Sequence, residues 1–438
     1  QRSWIVLVIL NKNETLIYTP NNTVKGDHRY YTNALYNIKV QCILLATFSA
    51  FLLSLLLFYQ VRTNEWCIAN CFSLLCIIAI CFIWYHHLQK EYNGKMNDVI
   101  VYNKTDLEAA LNNFNRLSSK QSIEPPSTQI KIKTGFFIQS IKFSSANNVY
   151  ITGYAWQKFP KQWQNTERQI STSSADQLSI VLPEAENLEM TIIDSDQQIT
   201  RWHFKASLRQ SFNYLKYPFD GEDIWIRARF KDFYDNNVIL VPDFDSYPNF
   251  ERSSSNGLES DIFITGWTIL KTFYYFRSID YTSNFGIIST NKTINNKADL
   301  YFNIAIKRDF IGVFVAYMIP LAVIAFLLFA VLMIRTRNTN ENKLFGFNSA
   351  MVLGYSASLF FVLIVSHMSL REGLHAKGII YLEYFFFNLY IAIGLVSANA
   401  VTFSYKKWNT GIDDKWICLL YWPLLLLSLL IITVIRFT

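Results

Sequence analysis

Six long apolar runs constrain what this chain can fold into more than any other feature of its sequence. Each run is close to the roughly 20 apolar residues that a helix needs to cross a bilayer core. No run carries a charge near its centre, and Glu383 lies near one end of the fifth. The sequence therefore predicts six membrane spans, at residues 42–60, 66–85, 310–334, 346–368, 379–403 and 417–435.

The overall composition agrees with a membrane protein. Hydrophobic residues make up 51% of the chain and charged residues 17%, whereas about 25% of residues are charged in ordinary soluble domains. The net charge is +7, but the basic residues form no dense run, and a basic excess is typical of cytoplasmic loops. We therefore expect a lipid bilayer, and not nucleic acid, as a partner.

Charges in the connecting loops predict the orientation of the spans. Arg62 lies in the first short loop, and three basic residues lie in each of 335–343 and 404–415. Six spans put these three loops on one side, which the positive-inside rule makes cytoplasmic. Residues 1–40 and the polar middle of the chain are then expected outside the cytoplasm.

The polar middle alternates between apolar and polar residues, which is typical of β-strands with one buried face. Several such runs separated by polar turns predict a β-sandwich. Before them, Thr105 is expected to cap a helix with an apolar face that includes Leu107 and Leu111. The alternating runs are residues 129–133, 148–157, 222–230, 261–276 and 297–306.

Cysteine positions, metal-ligand spacing and catalytic motifs add little information about function. No nucleophile elbow, phosphate loop or metal-ligand spacing is present, so we expect no enzyme and no cofactor. Asp194 with Asp196, or Asp243 with Asp245, could offer calcium two oxygens, although such pairs are also common in turns. All six cysteines lie inside predicted spans, which disfavours disulfides: Cys42, Cys67, Cys71, Cys76, Cys81 and Cys418.

One loop resembles a known family. The segment 212–223 contains Tyr217-Pro218-Phe219-Asp220, which resembles the aromatic-Pro-Phe-Asp loop of pentameric ligand-gated ion channels, the Cys-loop receptor superfamily. The flanking cysteine pair is absent, so the chain looks like a prokaryotic-type subunit. Further resemblances are found at 149–156, 261–267, Lys307-Arg308 and Ile319-Pro320-Leu321.

This resemblance covers residues 125–438 and implies a homopentamer that conducts permeating ions when an unknown small ligand binds. It implies a multi-pass protein of a bacterial inner membrane, with the sandwich in the periplasm. The first two spans are additional to the family plan. The predicted domains are an N-terminal segment (1–40), a transmembrane hairpin (41–87), a linker with a helix (88–124), a β-sandwich (125–308) and a four-helix channel domain (309–438).

The fourth span is expected to line the pore. One helical face is marked by steps of four and three residues, and Leu353 falls where the family places its hydrophobic gate. Glu341 precedes the helix, and a ring of five such carboxylates would favour cations. The predicted pore-lining residues are Gly346, Ala350, Leu353, Ala357, Phe360 and Ile364.

The resemblance also implies roles outside the pore. Pro218, Phe219 and Asp220 are expected to couple the sandwich to the membrane domain, with Arg308 as the partner of Asp220. An aromatic ligand site between subunits is expected from the residues Tyr154, Trp156, Tyr274, Tyr275, Phe276 and Tyr281. These aromatic residues could equally be ordinary core residues of a sandwich.

Two alternatives remain open from the sequence. A non-conducting membrane receptor could use the same fold for sensing, without any need for the stripe through Leu353. The stretch from Ile5 to near Gly26 resembles the closing strands of Cache sensor domains. Residues 1–40 could be the remnant of such a domain or a short ordered extension.

Overall fold

A computed structural model describes most of the chain after residue 63. The described residues are 64–90, 92, 99–119, 130–160, 180–196, 198–231, 238–248, 255–278, 298–334, 349–404 and 414–437. All of them belong to the unit Gln41–Thr438. The predicted first span and the segment 1–40 lie outside the described residues, as do Gly346, Glu341 and Tyr281.

Five described helices are long and apolar enough to cross a membrane. They agree with the second to sixth predicted spans, so the chain is a multi-pass membrane protein with a sheet domain. The second of these helices contains a π-helical segment, Phe314–Met318, that ends two residues before Pro320. Proline has no N–H, so the regular pattern of helix hydrogen bonds is interrupted there. The spanning helices are α1 (Asn64–Gln89), α3 (Phe310–Val313, Phe314–Met318 and Ile319–Ile334), α4 (Ser349–Leu374), α5 (Glu383–Ser404) and α6 (Asp414–Phe437).

Ten described strands form two five-stranded sheets, in the orders β1-β9-β10-β7-β4 and β5-β6-β3-β2-β8. Pairing is antiparallel except between β2 and β8, which run parallel. The strands are β1 (Val99–Val101), β2 (Ile130–Phe143), β3 (Asn148–Lys158), β4 (Ile180–Val181), β5 (Ala185–Ser195), β6 (Ile199–Arg209), β7 (Gly221–Phe230), β8 (Val238–Pro242), β9 (Trp267–Ser278) and β10 (Ala298–Arg308).

The inner faces of the two sheets pack against each other through aromatic and aliphatic residues. Phe136 on β2 stacks on Phe302 of β10, with ring centroids 6.0 Å apart. On β3 the buried residues Val149 and Ile151 alternate with the exposed Tyr150, as the sequence predicts. The alternating runs thus bury one face of each sheet, and hydrophobic burial of this kind drives the packing of such layers.

The start of one predicted strand and the cap of one predicted helix differ in the structure. The fourth predicted strand, 261–276, begins only at Trp267. The helix α2 (Lys104–Ser119) is capped by Asn103 instead of Thr105, because the Asn103 side chain accepts a hydrogen bond of 2.7 Å from the Asp106 N–H. Asparagine and threonine both cap helices well, and a shift of two residues lies within the usual error for a boundary.

The additional helix α1 is packed into the bundle and does not stand apart from it. Its closest partner is α6, and Trp84 near its end reaches α5 as well. The Trp84 indole N–H donates to the Tyr381 hydroxyl at 2.8 Å, and that hydroxyl lies 2.7 Å from Thr433 Oγ1 on α6. The five described spans therefore pack together as one bundle.

Candidate functional site

The predicted coupling loop lies where the sandwich meets the helices. Tyr214–Lys216 forms a 3-10 turn, the Tyr217–Pro218 peptide bond is cis, and β7 follows at once. Asp220 is buried, with its side chain 2% exposed, and accepts three hydrogen bonds of 2.9 to 3.0 Å from Arg308. The pair expected between these residues is present, and it connects the loop to the end of β10, immediately before α3.

Arg308 is held by aromatic rings as well as by Asp220. Its guanidinium carbon lies 3.9 Å from the ring centroid of Trp267, 4.6 Å from that of Tyr217 and 5.4 Å from that of Tyr214. Cation–π attraction is strongest where the cation is shielded from water, and the Arg308 side chain is only 10% exposed. The guanidinium is therefore fixed in position as well as neutralised.

Phe219 inserts into the top of the helical bundle. Its ring centroid lies 5.6 Å from that of Trp84 on α1, 5.1 Å from that of Phe310 on α3 and 5.3 Å from that of Phe437 on α6. It also contacts Tyr381, at 6.0 Å. One side chain of the loop thus touches three membrane helices and the segment before α5.

The connection between α4 and α5 is bonded to the same loop. The backbone carbonyl of Leu215 accepts hydrogen bonds from the Tyr381 N–H at 3.1 Å and from Arg436 Nε at 3.2 Å. Buried Glu383 accepts from Arg371 on α4 at 2.9 Å. Contacts between side chains and backbone groups therefore run without a break from the sandwich loop to the end of α4.

The exit from α1 is attached to the lower part of the first sheet. Lys307 Nζ donates to the Leu88 carbonyl at 2.6 Å, and burial lowers the pKa of this lysine. The Tyr92 hydroxyl donates to Asp223 at 2.9 Å, which also accepts from Asn303. The end of α1 is therefore bonded to β7, which begins directly after Asp220, and to β10, which ends at Arg308.

The stripe predicted to line a pore lies on an exposed side of α4. Ala350, Leu353, Ala357 and Phe360 are exposed, Leu353 to 37%, and Ile364 is half-buried. The residues that α4 buries against the rest of the chain lie on another face and are Val352, Ser356, Leu363 and Leu370. In an apolar stretch of 18 residues of α4, only 17% is buried, compared with 28% to 44% in the corresponding stretches of the other four described spans.

The aromatic residues predicted to bind a ligand fall into two groups. Tyr154 and Trp156 are half-buried on β3, and the Trp156 indole N–H donates to Asp243 at 2.9 Å. Tyr274, Tyr275 and Phe276 are at most 1% exposed. These three rings form core packing on β9, and the ligand role remains a prediction for all five residues.

The acidic pairs considered for calcium are engaged by other groups. Asp194 pairs with Arg201 at 2.6 Å. Burial raises the pKa of the Asp243 carboxyl, but hydrogen bonds from Lys158, Ser246 and Trp156 outweigh it and hold the pKa below its usual value. Among the described residues, no group of three or more His, Cys, Asp or Glu side chains lies close enough to hold a metal ion. The calcium role considered for the two acidic pairs therefore stays a prediction.

Several residues at the junction between the sheets and the helices carry no recognisable signal in the sequence. Trp84 and Tyr381 lie inside or beside apolar spans, where an aromatic residue gives no signal of its own. Trp267 closes the segment 261–267 that resembles the family, but nothing in the sequence indicates that it stacks on Arg308. Such partners are brought together only by the tertiary fold.

The chain matches none of the protein-family models with which it was compared, and no curated protein sequence matches it.

Proposed function

We propose that this chain is one subunit of a pentameric ligand-gated ion channel of the prokaryotic type, in which α4 lines the pore. The sandwich lies outside the cytoplasm and receives an extracytoplasmic signal, and the permeating ions are cations. The observation that carries the proposal is the exposed stripe on α4, on the span that is least buried within its own subunit.

In a single subunit, four of the five described stripe residues are exposed, and a symmetric ring would bring the same residues of neighbouring copies together. When copies of one chain assemble around an axis, the same helix of each copy can face that axis. Leu353 would then form a narrow apolar ring with Ala350 and Ala357 one turn to either side. Apolar constrictions of this kind close a pore by dewetting.

The contacts at the junction support a gating route. The Asp220–Arg308 pair and the Phe219 ring connect the sandwich to α3, and the bonds of Leu215 and Glu383 continue to the end of α4. A shift of the loop Tyr217–Asp220 therefore displaces groups that hold the pore helix. Spatial continuity alone does not measure coupling, so the route needs a functional test.

Ion flux from liposomes containing the purified full-length protein tests the proposal. Wild-type protein is compared with Leu353→Ala and with Val362→Ala as a matched control. Val362 is also exposed, at 53%, but it lies nine residues after Leu353. Nine residues make about two and a half turns, so Val362 lies on the opposite side of the helix. We expect cation flux that rises in Leu353→Ala and stays at the wild-type level in Val362→Ala. Equal flux in all three proteins, or none in any, would contradict a leucine gate on α4.

A further inference from the structure

Basic residues from three parts of the chain meet at the end of α1. His87 lies in the last turn of α1, and its ring centroid is 4.7 Å from that of Phe437 at the end of α6. The ammonium group of Lys216 lies 5.9 Å from the centroid of the same Phe437 ring. Lys307 reaches this place from β10, and its Nζ donates to the backbone carbonyl of Lys90 at 3.4 Å. The end of α1, the turn Tyr214–Lys216 and the end of β10 therefore bring their cations together.

The positive charges of this region are not neutralised by direct contact with a carboxylate. Lys216, Lys90 and Lys307 all lie within electrostatic range of the His87 imidazole. We call His87, Lys90, Lys216 and Lys307 the basic cluster. In the part of the chain that the structure describes, none of its three lysines forms an ion pair. Because like charges repel one another, an anion that binds among them would be stabilising.

Two carboxylates that follow Lys216 closely along the chain are engaged by other groups. Asp220 accepts three hydrogen bonds from Arg308. Glu222 accepts a hydrogen bond of 2.9 Å from the backbone N–H of Asn213. Both carboxylates are buried, at 4% and 1% exposure, whereas the Lys216 side chain is exposed. The cluster therefore faces solvent or lipid with its positive charge, and the acidic residues of the same loop face inward.

The basic cluster lies at the depth of the lipid headgroups. Helix α1 has 26 residues and is therefore about 39 Å long, whereas the hydrocarbon core of a bilayer is about 30 Å thick. Its last turn, which contains His87, thus extends beyond the acyl chains. Phe437 ends α6 at the same level, and the exposed side chains of Lys90 and Lys216 are next to it in the structure.

The membrane itself supplies an anion that fits this cluster. The sandwich end of the bundle is opposite to the basic loops 335–343 and 404–415, so the positive-inside rule does not account for lysines here. We propose that the basic cluster binds the phosphate of an anionic phospholipid in the leaflet on the sandwich side. Ammonium groups bind phosphate as point charges, and acyl chains hold the headgroup at this depth.

A lipid phosphate bound here would have two further consequences. Burial lowers the pKa of Lys307, and a neighbouring anion would favour its charged form. The phosphate would also link the end of α1 to the turn Tyr214–Lys216, which precedes Asp220 by a few residues. The site does not require the protein to conduct ions.

Native mass spectrometry of the full-length protein in detergent tests this proposal, because it counts the lipids that stay bound. The protein is mixed with phosphatidylglycerol and phosphatidylcholine at several ratios, which gives the relative affinity for the anionic lipid. The test variant carries Lys90→Gln and Lys216→Gln, two changes of exposed side chains that leave the fold intact. Lys142→Gln is the matched control. Lys142 is also exposed near the membrane end of the sandwich, beside Phe143, which stacks on Trp267.

We expect the double variant to lose about 25-fold in affinity for phosphatidylglycerol relative to phosphatidylcholine, at about fivefold for each lysine near anionic lipid. Lys142→Gln should stay within about twofold of the wild type, because a lone exposed charge is screened. The proposal is overturned if the double variant keeps the wild-type preference, or if Lys142→Gln loses as much.

A second arm separates the lipid from free phosphate. The midpoint of thermal unfolding is measured with inorganic phosphate or with phosphatidylglycerol added to the detergent solution. We expect the lipid to raise the midpoint of the wild type more than that of the double variant, and inorganic phosphate to change neither. An equal rise with inorganic phosphate, lost in the double variant, would assign the cluster to free phosphate and overturn the lipid.

Discussion

Removal of either partner of the Asp220–Arg308 pair should destabilise the protein strongly and unequally. The two side chains are 2% and 10% exposed and share three hydrogen bonds. Loss of one partner of a buried pair leaves an uncompensated charge, which costs about 3–5 kcal/mol. Asp220→Ala leaves Arg308 against three aromatic rings, so we expect about 3 kcal/mol, at the lower end of that range.

Arg308→Ala should cost more, near 5 kcal/mol, because it removes the ring contacts and strands a buried carboxylate. The double variant has no stranded charge. Its cost should therefore fall short of the sum of the two single costs by about 2–3 kcal/mol, within the range measured for residues in direct contact.

The assay is a double-mutant cycle on the full-length protein, with the free energy of unfolding measured by tryptophan fluorescence in mixed micelles of increasing denaturing detergent. The surface pair Asp194–Arg201 is the matched control, since its side chains are 53% and 50% exposed at an N–O distance of 2.6 Å. Breaking that pair should cost less than about 1 kcal/mol. Additive single costs at Asp220 and Arg308, or costs no larger than in the control pair, would refute the reasoning.

Three further outcomes follow from the structure. Trp84→Phe replaces the buried indole by a smaller ring that cannot donate to Tyr381, so the same unfolding assay should report a loss of about 1–3 kcal/mol from the lost bond and the space left behind. Gly153→Ala should lose about 1–3 kcal/mol because a Cβ there would overlap a backbone oxygen, whereas Gly312→Ala has open space and should be neutral or stabilising. Hydrogen bonds from Lys104 and Lys133 lower the pKa of Asp245 to about 2. The contribution of Asp245 to stability is therefore present above about pH 4 and is lost as the pH falls toward 2. Asp245→Asn should make the free energy of unfolding less dependent on pH in that window, and an unchanged pH dependence would count against the ion pairs.

The sequence predicts the described spans and five of the ten described strands, because these follow from local patterns. Long apolar runs give α3 to α6, and alternation gives β3, β7 and β10. By contrast, β1, β4, β5, β6 and β8 were not predicted. Most side chains of β5 are exposed, so its strand pattern carries little apolar signal. The sequence pattern also does not show that β5 pairs with β6, or in which register.

The candidate site was predictable only in part. The Asp220–Arg308 pair was expected because a short motif and a basic residue before a span both carry signals in the sequence. The packing of Phe219 on Trp84 was not, because it depends on where α1 docks in three dimensions. The burial of Tyr274 could also not be decided from the sequence. Neighbouring residues of a strand point to opposite faces of the sheet, but the sequence does not show what packs on each face.

Single-channel recording in planar bilayers tests the central claim most directly, with wild type, Leu353→Ala and Val362→Ala measured under the same conditions. If Leu353 forms the gate of a pore along α4, wild-type protein gives discrete cation openings. Leu353→Ala then opens more often, because the apolar ring is wider and wets more readily, and Val362→Ala behaves as the wild type. Silence of all three proteins across voltage and pH would contradict the account and would favour a receptor that does not conduct.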